Sequence, residues 1–309
     1  MIAPLRSLGR TLLNAWGLVG RAPGWRYQVV ERWGAALAEA QPLPRLLPGG
    51  LRIDCDLREL VDRVVYFRGL AEPVETWILL QLLRPGMVVV DAGANIGQYT
   101  LLVAQAVGPT GRVYAFEPIP PTFARLERHV RENRLANVVL RPEGLWDASA
   151  TLKLAQPEGY ADNAGTFTTG VVGAARYESV RAVAFDDVAA ALGCTHVDVV
   201  KMDIEGAEPR ALLGMRRMLE RDHPFILLEL NRSAVTRAGA RLDDVWDVLT
   251  RQLGYRAWRI GETPALSGAL DGVGGIKQEN ALFFTGEVPA ALAAGWSLAE
   301  VLRWARSGS

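Results

Sequence analysis

The chain has 309 residues, enough to bury a large core in one elaborated domain. Lys and Arg number 34 against 34 Asp and Glu, so no excess positive field points to nucleic acid and no polybasic block points to anionic lipid. Cys55 and Cys194 lack metal, redox or disulfide-framework spacing, and His129, His196 and His223 are equally scattered, which fits a reducing, cytoplasmic setting and no bound metal.

Residues 1–24 carry apolar side chains such as Leu12, Leu13, Trp16, Leu18 and Val19, interrupted by Arg6, Arg10 and Arg21. The stretch is short for a membrane span and lacks a small-residue cleavage site, so the expectation is an amphipathic helix packed on the domain or on a partner, favoured over peripheral membrane contact. The Pro/Gly-rich run 41–50 then divides a helical extension, 1–50, from a main domain, 51–309.

Short alternations over 51–65 lead to a predicted helix at 74–83, closed by Arg84-Pro85-Gly86. From there the pattern is regular: strand 87–91, helix 96–107, strand 112–117, helix 121–134, strand 137–141. Strand–helix alternation of this kind predicts a parallel sheet. Residues 151–155 read as an extra strand, and 156–175, rich in Gly, Asn and Thr, as either a mobile polar lid or a plain surface insertion. A strand at 180–185 follows, with Asp186 placed to cap the next helix. A core strand at 197–203 runs into a helix continuing to 219. Then come strand 224–230, helix 242–253, strands near 255–260 and 281–285, and a C-terminal helix over 288–306.

The run Val88-Val-Val-Asp91-Ala-Gly93-Ala-Asn95-Ile-Gly97 carries the most chemistry, an apolar strand ending in an acid and a glycine turn before a helix. Dinucleotide folds hold a pyrophosphate on backbone N–H groups at such a turn, where Asp91 would repel it. The middle position is moreover Asn95, not the second glycine of that fingerprint. S-adenosylmethionine brings an ammonium and a sulfonium and no phosphate, so the acid favours it. About twenty residues on, the next strand ends in Glu117, at the offset of a ribose-binding acid. In an open parallel sheet such groups converge outside the carboxyl ends of the strands, which brings Asp91 and Asp203 to one cleft if their strands are neighbours.

These pieces together resemble the FkbM-type S-adenosylmethionine-dependent methyltransferases: Tyr66-Phe-Arg-Gly with Glu72-Pro73, Asp91 to Gly97, Ala115-Phe-Glu117-Pro118, and Lys201-Met-Asp203-Ile-Glu205-Gly206-Ala-Glu208. The resemblance covers about 51–285. It implies a Rossmann-like α/β fold of class I methyltransferase type, with a mostly parallel seven-strand sheet, helices on both faces and the final strand antiparallel. It further implies that Asp91, Gly93, Asn95, Gly97 and Glu117 hold the methionyl and ribose ends of the cofactor, and that Glu143, Gly144, Leu145 and Trp146 hold the adenine. Trp146 departs from the small residue usual there. Asp203, Glu205 and Lys201 then lie towards the acceptor, with a carboxylate as general base. Use of Asp203 and Glu205 to gather a divalent cation ranks lower, for lack of a third nearby acid. The expected activity is O-methylation of a hydroxyl on a small natural product, lipid or sugar. The competing readings are a nicotinamide-dependent oxidoreductase on the same sheet and a methyltransferase-like scaffold without catalysis. Acceptor identity and oligomeric state have no recognisable code in the sequence.

Overall fold

A computed structural model describes residues 6–7, 10–11, 34–156, 167–169, 174, 176–261, 266–293 and 297–307. Most of the expected N-terminal helix and most of the 156–175 insertion lie outside the described residues. Of the N-terminal segment, Arg6 donates to the Ala38 carbonyl at 3.0 Å, and Arg10 to the Leu37 carbonyl at 3.1 Å and to Glu39 at 2.6 Å. No helix among the described residues is long and apolar enough to cross a membrane.

The chain enters with a hairpin of β1 (Leu43–Leu46) and β2 (Arg52–Cys55), which joins residues on both sides of Leu51. Helices α1 (Leu60–Arg68) and α2 (Pro73–Leu82) follow. Then the regular alternation begins: β3 (Val88–Ala92), α3 (Gln98–Val107), β4 (Arg112–Phe116), α4 (Pro120–Glu132) and β5 (Val138–Arg141). The next strands are β6 (Gly144–Leu145), β7 (Ala150–Ala155) and β8 (Tyr177–Val183), followed by the short helix α5 (Phe185–Val188) and strand β9 (Val199–Met202). Helices α6 (Glu208–Gly214) and α7 (Arg216–Asp222) lead to β10 (Phe225–Asn231), and α8 (Arg232–Arg237) and α9 (Leu242–Trp246) to β11 (Arg256–Ile260). The chain closes with β12 (Leu266–Leu270), β13 (Gln278–Phe284), α10 (Ala290–Ala293) and α11 (Leu298–Ala305).

The main sheet has the order β12-β11-β13-β10-β9-β3-β4-β5. Strands β10, β9, β3, β4 and β5 are parallel, while β13 is antiparallel to both β10 and β11. This is the Rossmann-like order with the last strand reversed, and the seven strands expected become eight because β12 adds an antiparallel edge to β11. Strand alternation places the core on both faces. Val90, Val200 and Leu228 pack with Leu212, Val245 and Leu249 on one side, and Val89, Val199 and Leu227 with Leu79, Val103 and Val107 on the other. Parallel strands buried on both faces read as continuous apolar runs, which is why they were legible.

The differences have local causes. The helix expected to run to 219 breaks at Met215, next to Gly214, whose backbone lies against the Trp146 carbonyl where a Cβ would collide. Asp186 lies inside the short helix it was expected to cap, whose N-cap is Ala184; its carboxylate accepts from the backbone N–H of Arg217 at 2.7 Å and of Met218 at 3.0 Å, at the start of α7. The helix expected over 242–253 relaxes into a π-helical turn from Asp247 to Gln252. Of the C-terminal helix expected over 288–306, the described residues form Ala290–Ala293 and Leu298–Ala305, the latter started by a Ser297–Glu300 capping box.

Candidate functional site

Where β3 ends, the chain needs three residues in the left-handed region, and it has Gly93 (φ 76°), Asn95 (φ 50°) and Gly97 (φ 100°). Glycine has no Cβ to clash there, and asparagine is among the few other residues that adopt the region readily. At Gly93 the requirement is also one of space, since a Cβ would strike the Asp203 carbonyl of the neighbouring strand end. The Asp203 N–H in turn donates to the Ala92 carbonyl at 3.2 Å. The glycine turn and the Asp203 loop thus touch backbone to backbone, which sets the closeness of the two chemical segments.

Glu117 fixes the same turn from β4. One carboxylate oxygen accepts from the Asn95 N–H and the other from the Ile119 N–H, each at 2.9 Å. Burial pushes its carboxyl up to about 7, against the pull of those two donors. The turn is held from behind by His129. The Asp54 N–H donates to its Nε2 at 3.1 Å, which leaves the proton on Nδ1, 2.7 Å from the Ile96 carbonyl. Burial holds this imidazole below its ordinary value. Sequence spacing gave His129 no role, because its partners come from β2 and from the turn.

A cavity of about 350 Å³ opens at the carboxyl ends of β3, β4 and β9. That volume suits a small-molecule ligand. Gly93, Asn95, Glu117, Lys201, Asp203 and Glu205, at neighbouring strand ends, line it, and so do Gly144, Leu145 and Trp146. Leu152, Leu154 and Val180 of the small β6-β8-β7 sheet, with Phe167, form another part of the wall.

Three expected residues stand behind this wall. Gly97 begins α3 and packs against Leu126. Glu143 is buried and grips Arg141 through two bonds of 2.9 Å, with Arg181 at 3.7 Å. Asp91 is 1% exposed; one oxygen accepts from the Thr100 hydroxyl at 2.6 Å, and the other has no hydrogen bond and lies 3.9 Å from the Lys201 ammonium.

Lys201 is the organising cation. Its strand register sets it beside Asp91, and Nζ donates to the Gly93 carbonyl at 3.1 Å while lying 3.8 Å from Asp203. Burial lowers its proton affinity, but Asp203, Asp91 and Glu72 together outweigh that and hold it above the ordinary lysine value. Glu208 is buried and accepts from the N–H groups of Ile204 and Gly206, bracing the strained turn in which Glu205 itself has φ 56°.

Two further ionisable residues line the cavity without an assigned role, Glu72 and Tyr99. The Tyr99 hydroxyl donates to Glu72 at 3.0 Å, and Asn280 of β13 donates to the other Glu72 oxygen at 3.1 Å. The sequence signal was the Glu72-Pro73 pair, but its target, on a strand about two hundred residues away, is set only by folding. Among the described residues, no three His, Cys, Asp or Glu side chains are grouped to hold a metal ion.

Comparison with known proteins bears on what this arrangement is. The 31-O-demethyl-FK506 methyltransferase FkbM of Streptomyces tacrolimicus is 30% identical over 159 residues, covering 43% of this chain and 61% of that protein. The hexuronic acid methyltransferase AglP of Haloferax volcanii is 27% identical over 154 residues, covering 50% of this chain and 60% of that protein. The chain therefore spans about three fifths of the length of these two relatives. A crystal structure of the methyltransferase FkbM from Methylobacillus flagellatus KT shares 18% identity at a TM-score of 0.45, covering 72% of this chain and 54% of that one. Residues 91–257, more than half of the chain and the span from Asp91 through the Lys201-to-Glu208 segment, match the methyltransferase FkbM domain. The chain belongs to the FkbM methyltransferase family.

Proposed function

We propose that this protein is an S-adenosylmethionine-dependent O-methyltransferase that acts on a hydroxyl of a small natural product, lipid or sugar. The observation that carries the reading is the convergence of the glycine turn, Glu117 and the Asp203 loop on one cavity. Its donor set fits an adenosyl sulfonium compound. Glu117 keeps a lone pair on each oxygen for a diol, beyond the two backbone bonds it accepts. Lys201, the sole cation among the described residues lining the cavity, is already shared between Asp91 and Asp203, which leaves no side-chain cation on the wall for a pyrophosphate. The FkbM and AglP relatives, whose names give methylation of 31-O-demethyl-FK506 and of a hexuronic acid, point the same way.

When bound, the cofactor supplies an electrophilic methyl group. Gly93 to Ile96 would hold its methionyl end, Glu117 the ribose, and Gly144 to Trp146 the adenine. Asp91 and Glu143 act from behind, the first on the loop through Thr100 and Lys201, the second through Arg141. The chain's remaining task is to align an acceptor oxygen with that methyl, and such positioning can supply roughly 7–11 kcal/mol of a barrier. Asp203 or Glu205, at the cavity edge, would take the hydroxyl proton, with Lys201 balancing the charge that develops.

Two outcomes test the assignment. Glu117→Ala is expected to weaken S-adenosylhomocysteine binding roughly 10- to 100-fold by calorimetry, as loss of hydrogen bonds to a charged group would. Asp203→Ala should leave that affinity within a few-fold while lowering kcat by roughly 10²–10⁴, the usual contribution of a general base. Unchanged turnover in Asp203→Ala would take the base role from Asp203 and leave Glu205 as its candidate. Titration with NADH against S-adenosylmethionine separates the oxidoreductase alternative, and an acceptor screen read by mass for a gained methyl separates an enzyme from a silent scaffold.

A further inference from the structure

The acid at the end of β3, Asp91, does not reach the cavity wall. Asp91 is sealed under the glycine turn, with its charge committed to Thr100 and Lys201. Glu72, by contrast, is on the cavity wall. It reaches there from the segment before α2, which is clamped onto the first turn of α3: Gln98 accepts from the Ala71 N–H at 2.8 Å, and Tyr99 donates to the Glu72 carboxylate at 3.0 Å. The glycine turn runs into that same first turn of α3. The Glu72 carboxylate is held on one side by Tyr99 and on the other by Asn280, which also contacts Glu75 at 3.3 Å. Each oxygen has accepted one bond and keeps a lone pair.

The charges around it are unbalanced. Glu75 and Asp203 act on Glu72 as like charges, and Lys201, already serving Asp91 and Asp203, is the cation that offsets them. Burial and those anions push the Glu72 carboxyl up to about 7. A fixed, partly buried carboxylate in an anionic surround gains most from a ligand that carries positive charge.

We infer that Glu72, positioned by Tyr99 and Asn280, binds the α-ammonium of the cofactor's methionyl end. This rests on the cofactor reading above and deepens it: the role expected of Asp91 passes to a residue brought in by the preceding helical segment, and Asp91 positions the loop instead.

The experiment compares S-adenosylhomocysteine, its analogue lacking only the amino group, and 5′-methylthioadenosine, by calorimetry on the wild-type chain, Glu72→Gln and Glu72→Asp. The expected result is a preference of wild type for S-adenosylhomocysteine over the desamino analogue of roughly 10- to 100-fold, the range of a hydrogen bond to a charged group. Glu72→Gln should erase that preference and leave methylthioadenosine affinity within about twofold, while Glu72→Asp, which keeps the charge, recovers part of it. If wild type binds the desamino compound as tightly as the parent, the inference is overturned, whatever the variants do. If Glu72→Gln keeps the full preference and loses only turnover, Glu72 belongs to the acceptor and the inference is again overturned. Equal loss of all three ligands would make its role structural and overturn it too. Failure of wild type to bind any of the three overturns the cofactor reading itself, which the other outcomes leave standing.

Discussion

Replacing Lys201 by methionine should destabilise the protein by about 3–5 kcal/mol, the cost of removing one partner from a buried ion pair. Lys201 and Asp91 are 6% and 1% exposed, and with the ammonium gone one Asp91 oxygen keeps the Thr100 hydroxyl while the other faces no compensating charge. The pH dependence has a definite sign. Burial already raises the Asp91 carboxyl above its ordinary value with Lys201 in place, and Lys201 is the largest influence pulling it down. Without Lys201 the folded-state value rises further above the unfolded one. A group raised in this way adds least penalty below its unfolded value and most as pH rises through its folded value. The stability gap between Lys201→Met and wild type should therefore narrow in acid and widen towards neutral pH. Adding Asp91→Asn should recover much of the loss, because it removes the charge that Lys201 offset. Urea titrations at several pH values check both statements. A gap that stays constant with pH, or no recovery in the double variant, would contradict this account of the pair.

Gly93→Ala should be nearly as damaging to the fold and more damaging to function. At φ 76° any Cβ is disfavoured, by roughly 1–2 kcal/mol. Here the Cβ would also meet the Asp203 carbonyl, a backbone atom that cannot swing aside as a flexible side chain does. Overpacking of this kind costs roughly 1–3 kcal/mol more. The strain is relieved only if the β3 and β9 loops part, which separates the glycine turn from Asp203. A displacement of that order can cost about 10²-fold in rate. Gly193→Ala is the control, since Gly193 has φ 69° but open space around it. It should lose only the conformational term and keep activity. Thermal melts and kcat/KM for the two variants separate backbone strain from collision.

Much of this molecule was readable from the chain. The apolar runs Val88–Ala92, Arg112–Phe116 and Val199–Met202 could only be strands buried on both faces, and the acids and glycines at their ends had to gather on one rim of a parallel sheet. Glu117 and Asp203 were found on the cavity for that reason, whereas the Gly144-to-Trp146 turn, which belongs to the small β6-β8-β7 sheet, was expected there from the family resemblance. These features depend on periodicity and strand direction, which neighbouring residues dictate. The fourth parallel neighbour, β10, and the reversed β13 were legible as strands, but the edge strand β12 was not, because Leu266–Leu270 includes Ser and Gly and takes its form from pairing with β11.

Which side of each strand end an acid presents was decided by the tertiary structure. Asp91 and Glu143 sit at or next to strand ends like Glu117, yet Thr100 with Lys201 draws the first beneath the turn and Arg141 turns the second aside. Glu72 reaches the wall only because Gln98, Tyr99 and Asn280 anchor its segment, the last from 208 residues away. A carboxylate's final direction follows from whichever donors and cations packing brings within about 3 Å of it. Those partners come from separate elements, so local sequence fixed the place of each acid on the rim, and only the assembled sheet and helices chose which acids look into the cavity.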